Sequence, residues 1–223
     1  SALVLRVEQI DSVAQLEPYR AAYEALLARL PGGEARHYAI ESLQACASLF
    51  IGAHDRPYFL LAWQGKLLRG VMPLLLETRR WPRPRRLHAW GAVHGLLGLD
   101  AELLVPPGAG ARECMQAFAT HLMGPAAHDF DVMELDSLRE DGVLGQYFGA
   151  VFPQAERVVE VGVSHLIDLP ASADAYRATL SASMLGEMRR CERRLAQTGQ
   201  VEFCARSVLS DTELDEVMAI HSA

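Results

Sequence analysis

The chain has 223 residues, of which 50% are hydrophobic, and its 21 basic and 28 acidic side chains give a formal net charge of −7. This length accommodates one large domain, or one domain and part of a second. The negative balance argues against sequence-independent binding of the whole chain to nucleic acid or to an anionic membrane.

The sequence predicts neither a membrane span nor an export signal. No apolar run reaches about 18 residues, and the amino terminus lacks a basic region followed by an apolar block. The four cysteines form no CxxC pair and lie mostly among apolar neighbours, as buried thiols do. We therefore expect a cytoplasmic protein.

The amino-terminal part predicts a strand followed by two helices. Apolar and polar residues alternate over residues 3–7, as in a half-buried strand, and Asp11-Ser12 supplies a helix N-cap. Helices are expected over residues 13–30, which end at a Pro-Gly-Gly stop, and over residues 40–50. The first helix is predicted to bury its regularly spaced apolar residues: Leu16, Tyr19, Tyr23, Leu26, Leu27 and Leu30.

A β-hairpin is the clearest local prediction. An apolar run over residues 58–63 is followed by the turn Gln64-Gly65-Lys66 and a second apolar strand over residues 67–76. Pro73 has no amide proton to donate, so it predicts a bulge or an unpaired edge within the second strand.

A cationic loop follows the hairpin at residues 79–86, where five arginines surround Trp81. Arginine forks and an aromatic face suit a phosphate or a nucleic acid. A solvated hairpin end has the same composition, and the acidic chain favours that interpretation. We therefore expect no nucleic-acid partner.

The middle of the chain predicts alternating strands and helices. Strands are expected over residues 87–92, 101–105 and 130–135, and helices over residues 111–123 and 142–148. The longer of these two helices is predicted to direct four side chains wholly or partly inward: Cys114, Phe118, His121 and Leu122.

Two segments in this region are rich in glycine. Residues 91–98 match neither GxGxxG nor GxxxxGK[ST] and are interpreted as a turn region near a cleft. Gly108 and Gly110 lie in a predicted loop that leads into the helix beginning at Ala111, where free N–H groups and the positive dipole end suit a pyrophosphate. An ordinary strand-to-helix turn is the alternative. These three residues are the candidate cofactor-binding residues.

The last quarter of the chain begins with one predicted strand or a strand pair over residues 158–169. A helical region follows from Asp174 and is expected to break near residues 181–183. A strand over residues 201–205 and a helix over residues 211–223 complete the prediction. An apolar stripe in the helical region is expected to face a core: Met184, Met188, Cys191 and Leu195.

Four arginines form two like-charged i,i+4 pairs beside this stripe: Arg189 with Arg193, and Arg190 with Arg194. Each pair costs a few tenths of a kcal/mol unless anions balance it. Glu187 and Glu192 within the helix, an anionic ligand, or a partner domain would each provide that balance.

No residue set identifies a catalytic centre, so the catalytic residues stay unknown. The eight histidines show no HxxxH or HExxH spacing, so no metal site is predicted, and there is no GxSxG elbow. His94 is the candidate for a lone base, with a structural or surface histidine as the alternative. Glu134 and Asp136 share a strand face, which suits an acid/base pair or solvated acids equally.

Several segments resemble the N-terminal half of the cellulose-biosynthesis-type (CelD-like) acyltransferases of the GNAT superfamily, which are related in architecture to the Fem-type aminoacyl transferases. The similar segments are the hairpin with Gly65 and Gly70-Val-Met-Pro-Leu, Phe130-Asp-Val-Met-Glu-Leu-Asp, His165-Leu-Ile-Asp-Leu-Pro, the arginine-dense region from Tyr176 to Phe203, and Glu216 to His221.

The resemblance implies a mixed-sheet α/β fold of the GNAT-like acyl-CoA N-acyltransferase type, the first of a tandem pair. A GNAT-like domain is expected over residues 1–170, and residues 171–223 are expected to hold the connecting helix, a strand and the start of a second domain. The last helix has no C-cap, so we expect the chain to be the N-terminal part of a longer protein. Because the resemblance implies that acyl-CoA binds mainly in the second half, we expect this part to be inactive alone.

The implied activity is transfer of an acyl group from acetyl-CoA or another acyl-CoA to an amine or hydroxyl of a small-molecule or glycan acceptor, in cellulose or exopolysaccharide biosynthesis. The family's pyrophosphate motif is not intact, and only Gly108-Ala109-Gly110 is similar to it. The candidate substrate or interdomain residues are His94, Arg189, Arg190, Arg193 and Arg194.

The alternative function is a non-catalytic, degenerate GNAT-like module that binds a partner protein or an anionic glycan precursor. It is favoured by the lack of a recognisable catalytic constellation. Nucleic-acid binding through residues 79–86 is a third hypothesis, which predicts strongly salt-dependent association.

Overall fold

The structure is a computed structural model that describes residues 4–30, 37–78, 83–90, 103–106, 108, 110–135, 138–153, 169–199 and 208–221. The chain divides into two compact units, Ser1–Val161 and Gly162–Ala223. The domain boundary expected after residue 170 stays a prediction.

The first unit contains a mixed sheet and its covering helices. Its strands are β1 (Arg6–Ile10), β2 (Asp55–Gln64), β3 (Leu67–Glu77), β4 (Arg86–Ala89) and β5 (Val132–Glu134). Its helices are a 3-10 helix (Val13–Tyr19), α1 (Arg20–Leu27), α2 (Ile40–Phe50), α3 (Ala111–Met123) and α4 (Val143–Val151). The second unit contains α5 (Ala173–Thr179), α6 (Ala182–Thr198) and α7 (Asp211–His221).

The sheet has the strand order β1-β2-β3-β4-β5. The first three pairings are antiparallel, and β4 pairs with β5 in parallel. A parallel pair needs a crossover connection, and here α3 lies between the two strands in the chain. The predicted α/β class with a mixed sheet is therefore confirmed.

Both faces of the sheet are buried, which explains the continuous apolar runs in β2 and β3. Successive side chains point to opposite faces. Leu60, Met72 and Leu87 join the core under α3 and α4, whereas Phe59 and Leu75 join the core under α1 and α2.

Three predicted elements differ from the structure in detail. The first strand begins three residues later than expected, at Arg6. The helix expected over residues 13–30 starts as the 3-10 helix, which contains Pro18, and α1 covers only Arg20–Leu27; proline removes one i→i−4 hydrogen bond from a helix interior. Leu104 of the strand expected over residues 101–105 makes only an isolated bridge to Val71.

Pro73 lies in a gap along the edge of β3 that faces β4. Val71 and Leu104 exchange backbone hydrogen bonds of 3.0 and 2.9 Å, and the Pro73 carbonyl accepts one from Trp90 N at 3.1 Å. Alternate residues of a strand direct their backbone groups to the same edge. The missing N–H of Pro73 therefore falls between the Val71 bridge and the β4 pairing, which ends at Leu74, so the proline interrupts neither pairing.

The second unit confirms the predicted helix break but not the predicted core. Ser181 caps α6, because its Oγ accepts a hydrogen bond from Met184 N at 3.2 Å. The apolar stripe of α6 is not buried: Met184 is 54% exposed, Met188 40% and Leu195 43%, and Cys191 is exposed. Helical spacing identifies residues that share a face, but it does not determine whether another element covers that face.

Among the described helices, none combines the length and the apolar character needed to cross a bilayer. The segments expected at residues 158–168 and 201–205 lie outside the described residues.

Candidate functional site

The parallel pair β4–β5 ends at the register His88↔Glu134. Open α/β sheets bind ligands beside the carboxyl ends of their parallel strands. Two features of the described residues lie on this side of the sheet. One is a polar cluster at the β4–β5 pair, and the other is the N-terminus of α3, which lies beside β3.

Gly70 of β3 lets the chain before α3 pack closely on the sheet. A Cβ at residue 70 would lie 2.6 Å from Val105 Cγ2, 3.4 Å from Cys114 Sγ and 3.5 Å from the Leu104 carbonyl oxygen. Cys114 is buried in this contact, and burial raises the pKa of its thiol to about 11. Close packing at Gly70 therefore fixes where α3 begins.

The N-terminus of α3 contains the predicted glycines. Gly110 is the N-cap residue with φ 113°, and Gly108 has φ 110°, so both adopt backbone conformations that favour glycine. Ala111, the first residue of the helix, is buried. The structure thus places Gly108, Gly110 and Ala111 at a helix N-terminus, as the sequence predicts, where backbone N–H groups have no intrahelical acceptor.

Arg69 lies beside this N-terminus because of a β-bulge. Ala62 pairs with Gly70 and Trp63 pairs with Leu68, so Arg69 is the extra residue of β3. Its Nη2 is 2.9 Å from the position that a Cβ on Gly110 would take. The guanidinium and the helix N-terminus both carry positive charge, so an anionic group would interact favourably with both.

A polar cluster joins β3, β4 and β5 at the other end of this region. His88 Nε2 is 3.2 Å from Glu77 Oε2, and His88 Nδ1 is 3.8 Å from Glu134 Oε2. Arg86 Nη1 donates to both carboxylate oxygens of Glu134, at 3.1 and 3.2 Å. The side chains of His88 and Glu77 are only 13% and 15% exposed.

Two arginines in the described part of the cationic loop pair with acids in or next to β5. Arg85 Nη2 is 2.9 Å from Asp131 Oδ1, and its backbone N–H donates to Asp131 Oδ2 at 2.8 Å. These bonds lower the pKa of Asp131 to about 2. Arg86 is paired with Glu134, and residues 79–82 lie outside the described residues.

A second polar network lies at the C-terminal end of α3. Tyr58 Oη donates to Asp129 Oδ2 at 2.9 Å, Gln9 Nε2 is 3.3 Å from the same oxygen, and His121 Nε2 is 3.2 Å from Gln9 Oε1. Burial raises the pKa of Tyr58 and lowers the pKa of His121. This network ties α3 and the loop after it to β1 and β2.

The structure describes only some of the remaining predicted site residues. His94 and Asp136 lie outside the described residues, so the predicted pairing of Glu134 with Asp136 stays a prediction. All four arginines of α6 are exposed: Arg189, Arg190, Arg193 and Arg194. Arg190 pairs with Glu187 at 2.5 Å, so the helix itself balances part of this charge.

Sequence analysis missed Arg69, Glu77 and His88. Alternation along β4 places His88 on the same face as Arg86, so the sequence did contain a signal for the position of His88. The strand register and the bulge, which bring these residues to their partners, have no local sequence signal. Within the described residues, no group of three or more His, Cys, Asp or Glu side chains is placed to hold a metal ion.

No family model matches the chain, and no curated protein matches it. The solved structures similar to it include two of the aminoglycoside acetyltransferase meta-AAC0020 from an uncultured soil metagenomic sample. The complex with sisomicin has 12% identity and a TM-score of 0.41, covering 73% of this chain and 97% of that one. The complex with trehalose has 11% identity and a TM-score of 0.38, covering 74% and 96%. At these TM-scores the similarity assigns neither the fold family nor the activity of this chain.

Proposed function

We propose that this chain belongs to an acyltransferase with a GNAT-like fold, which moves an acyl group from acyl-CoA to an amine or hydroxyl acceptor. The observation that carries the proposal is the N-terminus of α3, where Gly108, Gly110 and the guanidinium of Arg69 lie together. Backbone N–H groups, a helix dipole and an arginine fork are the groups that bind a pyrophosphate.

The distance between the two features suits an extended ligand. Gly70 lies beside the start of α3, and Leu75 is the β3 partner of His88. Five residues of strand separate them, which at about 3.3 Å per residue is roughly 17 Å. A pyrophosphate held at α3 would direct the pantetheine arm, and with it the thioester, toward the end of the β4–β5 pair.

Acyl transfer requires few protein groups beyond this arrangement. Acyl-CoA supplies an activated thioester, and positioning an acceptor beside it replaces a bimolecular encounter with an intramolecular one. Donors near the thioester oxygen and a group that takes the acceptor proton complete the requirements. The polar cluster on β3, β4 and β5 provides titratable groups at the expected place.

The proposal extends to the rest of the predicted architecture. The chain would be the N-terminal part of a tandem protein of the CelD-like type, with a small-molecule or glycan acceptor and a role in exopolysaccharide biosynthesis. The exposed apolar stripe and the arginines of α6 support a further domain, because such a face is costly to leave in water. Charge reversal at Arg190 and Arg194 should then destabilise the longer protein and leave this chain nearly unchanged.

Isothermal titration of coenzyme A and of pantetheine, which lacks the pyrophosphate, tests the proposal. Coenzyme A should bind and pantetheine should bind much more weakly. Arg69→Gln removes charge-assisted hydrogen bonds of about 1.5–3 kcal/mol, so it should weaken binding roughly 10- to 100-fold. Arg56→Gln on β2, whose arginine pairs with Asp11 at 3.4 Å, is the matched control and should bind as the wild type does.

The glycines allow a second matched comparison. Gly110→Ala strains a backbone with φ 113° and brings a Cβ within 2.9 Å of Arg69 Nη2. Gly65→Ala strains a backbone with φ 58° in the hairpin turn and meets nothing within 4 Å. Only the first should weaken coenzyme A binding. Equal affinity of wild type and Arg69→Gln for coenzyme A, or equal affinity for pantetheine and coenzyme A, would contradict the proposal.

A non-catalytic module that binds a partner protein is the second candidate, and the exposed stripe of α6 favours it. The two candidates differ in thiol release from acetyl-CoA with a panel of primary amines and alcohols. Thiol release is expected only if the chain belongs to an acyltransferase. Partner binding without coenzyme A binding would favour the module.

A further inference from the structure

We infer that His88, oriented by Glu77, is the base that takes the proton of the acceptor during acyl transfer. The inference rests on the proposed function, because it names a catalytic residue for that reaction. It is carried by the position of His88 in the sheet, by its contact with Glu77 and by the distance of its second ring nitrogen from Glu134.

His88 lies where the parallel pairing ends. Its register partner in β5 is Glu134, at the last pair of the parallel ladder. Its neighbours Leu87 and Ala89 are buried in the core under α3 and α4, so the His88 side chain points to the opposite face. An imidazole on this face stands at the carboxyl end of β4, beside the site proposed for the thioester.

Glu77 fixes the tautomer of the ring. A carboxylate only accepts hydrogen bonds, so at 3.2 Å from Glu77 Oε2 the His88 Nε2 carries the proton and donates it. In the neutral imidazole, Nδ1 then holds the lone pair. Glu77 thus acts as a positioning residue, which leaves Nδ1 able to accept a proton.

Glu134 does not occupy that lone pair. Its Oε2 is 3.8 Å from Nδ1, beyond hydrogen-bond distance. Both of its oxygens accept from Arg86 Nη1, which holds the carboxylate beside the ring. When Nδ1 takes a proton, the imidazolium lies next to two carboxylates and one guanidinium.

The step balances without an external reagent. The acceptor nitrogen or oxygen attacks the thioester carbonyl carbon, and its proton passes to His88 Nδ1. The new C–N or C–O bond forms, the C–S bond breaks, and the coenzyme A thiolate leaves. The imidazolium returns its proton to that thiolate, so His88 is neutral at the end and no atom changes oxidation state.

His88→Gln tests the catalytic role, with His128→Gln as the matched control because the His128 side chain is exposed. Thiol release from acetyl-CoA is measured with the panel of amines and alcohols, and coenzyme A binding by calorimetry. A positioned base contributes about 10²- to 10⁴-fold, so His88→Gln should lose at least about 100-fold in kcat with coenzyme A affinity unchanged. It should also lose the acidic limb of the pH–rate profile, and the control should match the wild type.

Nitrogen-15 NMR of labelled histidines tests the positioning role of Glu77 without turnover. The wild type should show His88 with the proton on Nε2, and Glu77→Gln should redistribute the proton between the two nitrogens. Glu77→Gln should also lower kcat while leaving KM for acetyl-CoA unchanged.

Three results would overturn the inference: a His88 proton on Nδ1, full turnover by His88→Gln, or a wild type that binds coenzyme A but releases no thiol with any acceptor. A wild type that does not bind coenzyme A would instead contradict the proposed function itself, and the inference would fall with it.

Discussion

Two glycines of α4 provide a sharp test of the packing in the first unit. Gly145 and Gly149 lie one turn apart in the same helix, and we expect the same change to alanine to have opposite effects on stability. Alanine favours the helix at both positions by roughly 0.5–1 kcal/mol relative to glycine. The difference between them therefore depends on what each new Cβ meets.

The Cβ of Gly149→Ala would have no heavy atom within 4 Å, so the helix gain should appear as a stabilisation of roughly 0.5–1 kcal/mol. The Cβ of Gly145→Ala would lie 2.1 Å from the Arg139 carbonyl oxygen, 3.0 Å from Arg139 C and 3.2 Å from Glu140 Cα. These are backbone atoms, which cannot rotate away. Overpacking of this kind costs about 1–3 kcal/mol, so we expect a net loss of about 1–2 kcal/mol.

Urea unfolding followed by tryptophan fluorescence measures the difference, because the three tryptophans lie at positions 63, 81 and 90, within the first unit. The free energies of unfolding of the two variants should differ by about 1.5–3 kcal/mol, the sum of the gain at one site and the net loss at the other. Equal stabilities of Gly145→Ala and Gly149→Ala, with equal m-values, would refute the packing of residues 139–140 against α4.

Three further predictions concern the described residues. Gly70→Ala should destabilise the first unit by about 1–3 kcal/mol in urea unfolding, because its Cβ would lie 2.6 Å from Val105 Cγ2. Asp131 has a pKa lowered to about 2 by Arg85, so its stabilisation is present above about pH 3.8 and is lost as the pH falls toward 2; Asp131→Asn should reduce this acid dependence. Burial lowers the pKa of His121, so unfolding free energy should fall as the pH drops below about 6.5, and His121→Gln should remove that slope.

Local signals were sufficient for several elements. The helices Ile40–Phe50 and Ala111–Met123 have the predicted bounds, and the hairpin turns at Gly65 with φ 58°. The inward residues of α3 were also predicted: Cys114, Phe118 and Leu122 are buried. Each of these features depends on spacing or on turn chemistry within a short stretch of chain.

Long-range features could not be predicted in this way. The α6 stripe has the spacing of a buried face, yet Met184, Met188 and Leu195 are exposed. Its burial depends on whether another element covers it, which the stripe itself does not encode. For the arginines at residues 79–86, the sequence left a ligand site open and favoured a solvated hairpin end. In the structure Arg85 pairs with Asp131, just before β5, and Arg86 pairs with Glu134 of β5, and these acids are 46 and 48 residues away in the chain.

The sequence alone determined the α/β class, the hairpin and the glycine-rich start of α3, because propensity, alternation and capping act between near neighbours. Only the tertiary structure decided that Arg69 reaches α3 and that His88 lies between Glu77 and Glu134. The reason is register: one extra residue in β3 redirects Arg69, and the pairing of three strands sets the neighbours of His88. Register is fixed by the packing of both sheet faces, so it emerges only when the whole sheet is assembled.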